Sequence, residues 1–331
     1  MNESLRAAGR QTRRACLSIL AAALAGAGAM AHAAGFPESP ITIVVPFPPG
    51  GPTDTTARLV GKTLSKQLGQ PVVVENRAGA GGTVGSTYVA RAKPDGYTLL
   101  WASTSSLGVA PGLYKNLAYS PVNSFEHVGL VGRSPILLVV RSSLNIDTLQ
   151  ALTAYSANNR VSYGSAGNGS INHLTGEWLK EVSGANLMHV PYKGGAPALA
   201  DMLGGQIEMT LETITVVRPY LETGRAKVLA TGGATRSPDM PQVPTVKEIY
   251  GNDFESYSWT GLVAPAGTPA AVVSKLNNAL RTAQDDPELL AQMKAGGQDV
   301  IKTSPAEFKK FVTADTQRWS ALIQRTKTTL D

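Results

Sequence analysis

Glycine-rich polar loops recur in this chain between short β-branched runs and amphipathic stretches, and they do so in two matched pairs. Ile41 to Val45 is a compact β-branched run, the mark of a buried strand. The loop PFPPGGPT (46–53) follows. A stretch with Ala57, Val60, Leu64 and Leu68 on one helical face comes next, stopped by Gly69 and Pro71. Residues 72–74 predict a second strand, ENRAGAGG (75–82) a second loop, 83–92 a helix and 97–101 a third strand. The same order returns later. Residues 161–163 read as a strand and SAGNGS (165–170) as a polar loop. The helix after it carries Ile171, Leu174, Trp178 and Val182 on one face and closes near Gly184. Residues 187–190 form the next strand, PYKGGA (191–196) the next loop, and 207–211 a strand after a short helix. Gly50 and Gly79 are 29 positions apart, Gly167 and Gly194 27, so two βαβαβ units of similar size are expected. In such units the loops gather at the carboxyl ends of parallel strands, where open α/β sheets bind ligands.

The last third of the chain bears on connectivity. Residues 257–263 predict a strand and 268–282 a helix, and Ser304-Pro-Ala-Glu307 reads as a capping box with proline in the first turn. The final helix puts Phe308, Phe311, Val312, Trp319 and Leu322 on one face with no third sheet to cover. It is expected to return to the first unit. That makes the first domain discontinuous, with chain crossings near residues 135–141 and 254–261.

The amino terminus is set apart. Arg6, Arg10, Arg13 and Arg14 precede a short apolar run rich in Ala and Leu, closed by small residues at Ala31, His32, Ala33 and Ala34. This is the layout of a secretory signal peptide cleaved after Ala33. The run is shorter than the roughly 20 apolar residues that span a bilayer, so it does not read as an anchor. Paired arginines at 13 and 14 leave the export route open between the general and twin-arginine systems. Without these 33 residues the net charge falls from +6 to +3, because four arginines and Glu3 leave together. So modest a charge predicts no nucleic-acid partner. Cys16, the one cysteine, leaves too, which excludes disulfides, thiol nucleophiles and thiolate metal sites from the exported protein.

Tests for catalytic or cofactor chemistry are mostly negative. Gly79-Ala-Gly81-Gly82-Thr-Val84-Gly85 misses a dinucleotide fingerprint, which needs glycine where Val84 stands. Tyr163-Gly-Ser165-Ala-Gly167 lacks the leading glycine of a hydrolase nucleophile elbow. His173 and Glu177 have the i, i+4 spacing of a metal pair, but no third ligand is apparent and a helix surface pair explains them. No cofactor and no metal are expected. What remains is donor-rich loops at helix starts. Gly50 and Gly51 allow close backbone approach ahead of the amides of Thr53 and Asp54. SAGNGS offers the amides of Gly167, Asn168, Gly169 and Ser170. Amides at a helix N-terminus suit an anion such as a carboxylate, and one such loop in each half points to a ligand held in a cleft between domains.

ITIVVPFPPGGPTDTTAR, PVVVENRAGAGGTVG, AKPDGYTLLWAS, VPYKGGAPALADMLGGQIEM and GLVAPAGTPAAVV together resemble the Bug (TctC) family, the periplasmic solute-binding proteins of tripartite tricarboxylate transporters. The resemblance runs from about Phe36 to the carboxyl terminus. It implies an α/β, two-lobed type II periplasmic-binding-protein fold, each lobe a mainly parallel sheet flanked by helices. Residues 34–136 and 256–331 would form lobe 1 and 137–255 lobe 2. The implied function is capture of a small organic acid and its delivery to the membrane components of such a transporter. The implied protein is a periplasmic, non-enzymatic monomer. A sensor or adaptor role on the same scaffold stays open, as does an exported hydrolase that would need Ser170 and His173 as nucleophile and base.

By motif, the resemblance places ligand contacts on Phe47, Gly50, Gly51, Thr53 and Asp54 in one lobe and on Ser165, Asn168, Gly169 and Ser170 in the other. His173 follows the second loop as a contact or a packed histidine. Ser103 and Thr104 end the third strand facing the same cleft, and Tyr192 is a wall residue or a structural hydroxyl. After the strand in GGQIEMTLE this chain has Leu211-Glu212 where relatives commonly show Phe-Asp. Glu212 therefore either reshapes the distal end of the pocket or caps the following helix.

Overall fold

A computed structural model of the protein describes residues 35–251 and 253–330, so the signal-peptide reading lies outside the described residues. Eleven strands among them form two sheets. The first contains β1 (Ile41–Val45), β2 (Val72–Asn76), β3 (Thr98–Ser103), β4 (Phe125–Pro135), β10 (Tyr257–Pro265) and β11 (Asp299–Val300). The second contains β5 (Leu137–Arg141), β6 (Val161–Ser165), β7 (Leu187–Pro191), β8 (Met209–Glu212) and β9 (Ala226–Thr231). Spatial orders are β11-β4-β10-β3-β1-β2 and β7-β6-β8-β5-β9.

Each sheet has a parallel core of three strands. β1 pairs in parallel with β2 and β3, and β6 pairs in parallel with β7 and β8. Beyond these cores the pairing is antiparallel, through β10 against β3 and β4 and through β5 against β8 and β9. The sheets are therefore mixed, with the strand that enters from the other sheet inserted beside the parallel core. Such a strand arrives from the opposite direction, which forces the antiparallel register. Ile136 alone separates β4 from β5, and the return runs from β9 to β10.

Local chemistry accounts for the helices. The helix Pro52–Leu68 starts with proline in its first turn and ends at Gly69 in the left-handed region (φ 69°). Val60, Leu64 and Ala57 sink into the core shared with Ile41, Ile43 and Val45. The helix Ile171–Ser183 is capped by Ser170, whose hydroxyl accepts from the His173 N–H, and ends at Gly184 (φ 67°). Ser304 and Glu307 form the expected capping box of the helix Pro305–Thr326. That helix lies against both sheets' layers. Phe308 and Val312 join the core of the first. Trp319, Leu322 and Ile323 instead pack with Trp178, Leu174 and Phe254 of the second. The rings of Trp178 and Trp319 meet edge-on at 5.8 Å, and Arg325 pairs with Glu181. The sequence expectation of a return to the first unit covers only half of this helix.

Candidate functional site

Strand order locates the site before any side chain is considered. In β2-β1-β3 the crossovers leave β1 in opposite directions, and in β7-β6-β8 they leave β6 in the same manner. Each sheet thus has a switch point, between β1 and β3 and between β6 and β8, where adjacent loops part and open a crevice at the carboxyl ends. The loop 46–53 follows β1, Ser103 and Thr104 end β3, SAGNGS follows β6, and Glu212 ends β8. The candidate residues therefore flank both switch points, apart from Tyr192, which follows β7.

At the first crevice Asp54 organises the loop. Its carboxylate accepts from the Gly50 N–H at 3.0 Å, Arg58 Nε at 3.0 Å and Asn76 Nδ2 at 2.9 Å. Asn76 Nδ2 also donates to the Phe47 carbonyl at 3.0 Å. Burial works against the charge on Asp54, but these donors outweigh it and hold the carboxyl below the usual carboxylate range. Asp54 is thus engaged in holding residues 47–50 in place. Gly50 turns in the left-handed region (φ 83°). Thr55 N–H bonds Gly51 O at 3.0 Å, and helix geometry leaves the amides of Thr53 and Asp54 ahead of it without an intrahelical acceptor.

The end of β3 runs into a π-helical turn, Thr104–Val109, capped by Ser103, whose hydroxyl accepts from the Ser106 N–H. Thr104 does not present its hydroxyl to a crevice. It donates to Tyr257 O at 3.2 Å and accepts from Trp259 N at 2.8 Å, fastening the turn to the start of β10. Ser105, which sequence reasoning passed over, accepts the Ile171 N–H at 3.2 Å. That bond joins the first sheet's loop to the first residue of a helix in the second.

SAGNGS is largely self-satisfied. Gly167 N–H donates to Ser165 Oγ at 3.1 Å, Gly169 N–H to His173 Nδ1 at 3.2 Å, and Ser170 N–H to Gly167 O at 3.1 Å. Of the four amides expected to be offered, only that of Asn168 is left by these bonds. The Asn168 side chain reaches Leu330 O at 3.4 Å. Beneath the loop, the rings of His173 and His189 stack 3.8 Å apart, and His189 Nε2 is 2.6 Å from Ser165 Oγ. Burial pushes His173 down to about 4 and His189 to about 3. The Ser170 hydroxyl donates to Gly167 O at 2.7 Å and accepts the His173 backbone N–H at 3.2 Å. A nucleophile–base pair of Ser170 with the His173 ring is not assembled. Glu177 accepts from Tyr163 Oη at 2.7 Å and from Lys180 at 2.8 Å. No group of three potential metal ligands occurs among the described residues.

Tyr192 is half-buried and donates to Asp201 at 2.8 Å, which with burial raises its hydroxyl to about 12. Glu212 is 5% exposed. Its carboxylate accepts from the Thr213 N–H at 3.3 Å and lies so close to Gly195 that a Cβ there would be 1.8 Å from Oε1. Gly195 opens the helix Gly195–Leu203, which has no side-chain cap.

The two halves meet around this space. A Cβ on Gly81 would lie 4.0 Å from the carbonyls of Asn168 and Gly169. Gly82 backs onto the Phe47 ring and Ser106, each within 3.3 Å of its notional Cβ. On another side, Thr215 donates to Gly296 O, and a Cβ on Gly297 would fall 1.7 Å from Ile214 Cγ2. Asn76, Ser105, Gly81 and the Gly296–Gly297 turn are the contributors that sequence reasoning missed. The run of four hydroxyl residues at 103–106 and the glycine-rich loop 75–82 were the local signals for Ser105, Asn76 and Gly81.

Comparison with known proteins follows this geometry. Residues 56–328 match the family model described as the tripartite tricarboxylate transporter family receptor. Protein BugT of Bordetella pertussis is 35% identical over 307 residues, covering 92% of this chain and 94% of BugT. The structure of periplasmic binding protein BugD is 38% identical with a TM-score of 0.81, covering 88% of this chain and 99% of BugD. The structure of R. palustris Rpa4515 with adipate is 32% identical with a TM-score of 0.83, covering 88% of this chain and 98% of that one.

Proposed function

The chain belongs to the tripartite tricarboxylate transporter receptor family, whose members are periplasmic solute-binding proteins of two-lobed fold, and on that premise we propose where and how it holds its ligand. Residues 34–136 with 256–331 form one lobe and 137–255 the other, and a small organic acid is bound where their switch points face each other. The carrying observation is the pairing of those switch points, bridged at one side by the Ser105–Ile171 bond and at another by Thr215–Gly296. The carboxylate of the ligand sits among neutral donors. The amides of Thr53 and Asp54 supply one side, with those of Asn168 and Asn172 on the other. Phe47, Gly50 and Gly51 shape the approach, and Ser103, Ser165, Gly169, Ser170, His173 and Tyr192 form the supporting wall. Adipate in the Rpa4515 structure supports the ligand class.

Closure of the two lobes over the acid makes the protein a receptor and not an enzyme, and the Ser170 hydroxyl is engaged with Gly167 O and the His173 backbone instead of the His173 ring. The protein acts as a monomer in the periplasm after cleavage near Ala33, and passes its ligand to transporter membrane components. Thermal denaturation against dicarboxylates, tricarboxylates, amino acids, nicotinic-type acids and aromatic acids tests this. A ligand at about 100 times its Kd stabilises by about 2.7 kcal/mol. A flat response across the panel refutes the reading. N-terminal sequencing of the exported protein checks the cleavage position.

A further inference from the structure

Three carboxylates are deeply buried among the described residues: Asp54, Asp315 and Glu212. Asp54 has Arg58 at 2.9 Å and Asp315 has Arg318 at 2.6 Å. Glu212 forms no ion pair with a described residue. Its position is the carboxyl end of β8, at the switch point of the second sheet, between the starts of the helices Ile171–Ser183 and Gly195–Leu203. A buried carboxylate with neutral donors and no cationic partner is expensive to keep at a ligand crevice unless something complementary arrives. Its donors are the Thr213 N–H and the Asn172 amide, whose Nδ2 also donates to Leu211 O. Gly195 leaves the space into which Glu212 projects, since any side chain there would strike the carboxyl.

We propose that Glu212 is a specificity-determining residue: the end of the ligand that reaches β8 carries a hydrogen-bond donor, such as an ammonium or a primary amide, and not a second carboxylate. This rests on the organic-acid reading of the cleft. One end of the ligand is then an anion held by neutral amides, and the other faces a fixed acceptor. A dicarboxylate of matching length would set two carboxylates against each other in a desolvated crevice, which disfavours it.

Burial lifts the Glu212 carboxyl to about 7, opposed by the Thr213 N–H and Asn172. Titratable side chains on the surrounding elements include His173, Glu177, Lys180 and Glu181 of the helix Ile171–Ser183, Tyr163 of β6, His189 of β7, Tyr192, Lys193, Asp201 and Arg218. The histidines lie at about 4 and 3 and Tyr192 at about 12, so none of these three changes charge between pH 6 and 8. Lys193 is exposed and Arg218 half-buried. Lowering the pH from 8 to 6 therefore converts Glu212 from acceptor to donor, which favours a carboxylate opposite it.

Isothermal titration with three matched pairs tests the proposal: succinate and succinamate, glutarate and 5-aminopentanoate, adipate and 6-aminohexanoate. At pH 8 the donor-ended member of the best pair should bind at least about tenfold more tightly, equivalent to about 1.4 kcal/mol. Glu212→Gln should abolish or reverse that ranking, and Glu212→Asp should keep it. In the wild type the preference should shrink severalfold at pH 6, and in Glu212→Gln it should not move. Equal or tighter dicarboxylate binding by the wild type at pH 8 overturns the proposal, as does an unchanged ranking in Glu212→Gln. Binding of none of the six also overturns it. Only when the wider acid panel is flat as well does the receptor reading fall with it.

Discussion

The imidazole rings of His173 and His189 lie face to face, 3.8 Å apart and 12° from parallel. Both are neutral in the folded protein, because burial foremost depresses them, and a charge on either would repel the other. In the unfolded chain each titrates near 6.5. Between about pH 6.5 and 4 the unfolded state therefore binds more protons, so stability falls as the solution is acidified through that window. The effect is on the order of 3 kcal/mol for one such imidazole, and less than twice that for the coupled pair. His127, buried beside Phe308 and held at about 4, contributes in the same direction. Urea midpoints at pH 7.5, 6.0 and 5.0 should decline, and His173→Phe should flatten the decline. Parallel slopes in the two proteins would count against the pair as the source.

Asp54 holds the first loop only in concert with Asn76, which also anchors Phe47. Asp54→Ala should cost about 1–3 kcal/mol of stability, the range for leaving buried donors unmatched. It should also weaken acid binding by roughly tenfold or more, because Gly50 loses its acceptor. Asn76→Ala should resemble it, and the double variant should be little worse than either single one. Full additivity in a double-mutant cycle would show that the two act separately.

Gly297 sits at φ 65° with Ile214 of the opposite sheet packed into the space a side chain would need. The turn is fixed on its own side by Ser134 Oγ on Gly297 O at 2.7 Å and by Gln298 on Thr56 at 3.2 Å. Gly297→Ala should therefore push the two halves apart instead of moving the turn. Small-angle scattering should give a larger radius of gyration in saturating acid, and affinity should drop by about tenfold. Adding Ile214→Ala should recover most of the loss. If the second substitution rescues nothing, backbone strain at φ 65° is the cause.

Ser105→Ala removes the acceptor of the Ile171 N–H across the interface. A single bond of this kind contributes about 1 kcal/mol, so affinity for the acid should fall about fivefold while the urea midpoint of each half changes little. A drop in affinity with no change in association rate is expected, since the bond retains the closed form. An unaltered dissociation rate would argue against it.

The strand–loop–helix alternation was legible because glycine, proline and β-branched residues act locally, and the capping box at Ser304 was legible for the same reason. The two inserted antiparallel strands were not. β5 and β10 carry ordinary apolar runs, and nothing within Leu137–Arg141 says that its neighbours are β8 and β9. The site shows the same divide. Gly50, Gly51 and the SAGNGS loop stood out by composition, yet Asp54 and Thr104 proved to be fasteners because their partners, Asn76 and β10, lie 22 and more than 150 residues away. His189 looked like a strand residue until the fold laid it on His173. Three amides of SAGNGS read as available were already bonded within the loop, a matter of backbone torsion at Gly167 (φ 120°) and Gly169 (φ 76°) that residue type alone leaves open.

β10 lies between β3 and β4, and those two strands have no pairing with each other. Every strand of the second sheet is complete by Thr231, before Tyr257 begins β10. The first sheet is therefore the last to close, and it needs the final quarter of the chain to do so. A polypeptide cut short before Tyr257 would carry a finished second sheet beside two open strand edges, the condition that invites aggregation. Order of assembly is thus written into the strand insertion. Residues 137–231 can complete their sheet as synthesis proceeds, while β3 and β4 must wait for β10 to arrive between them.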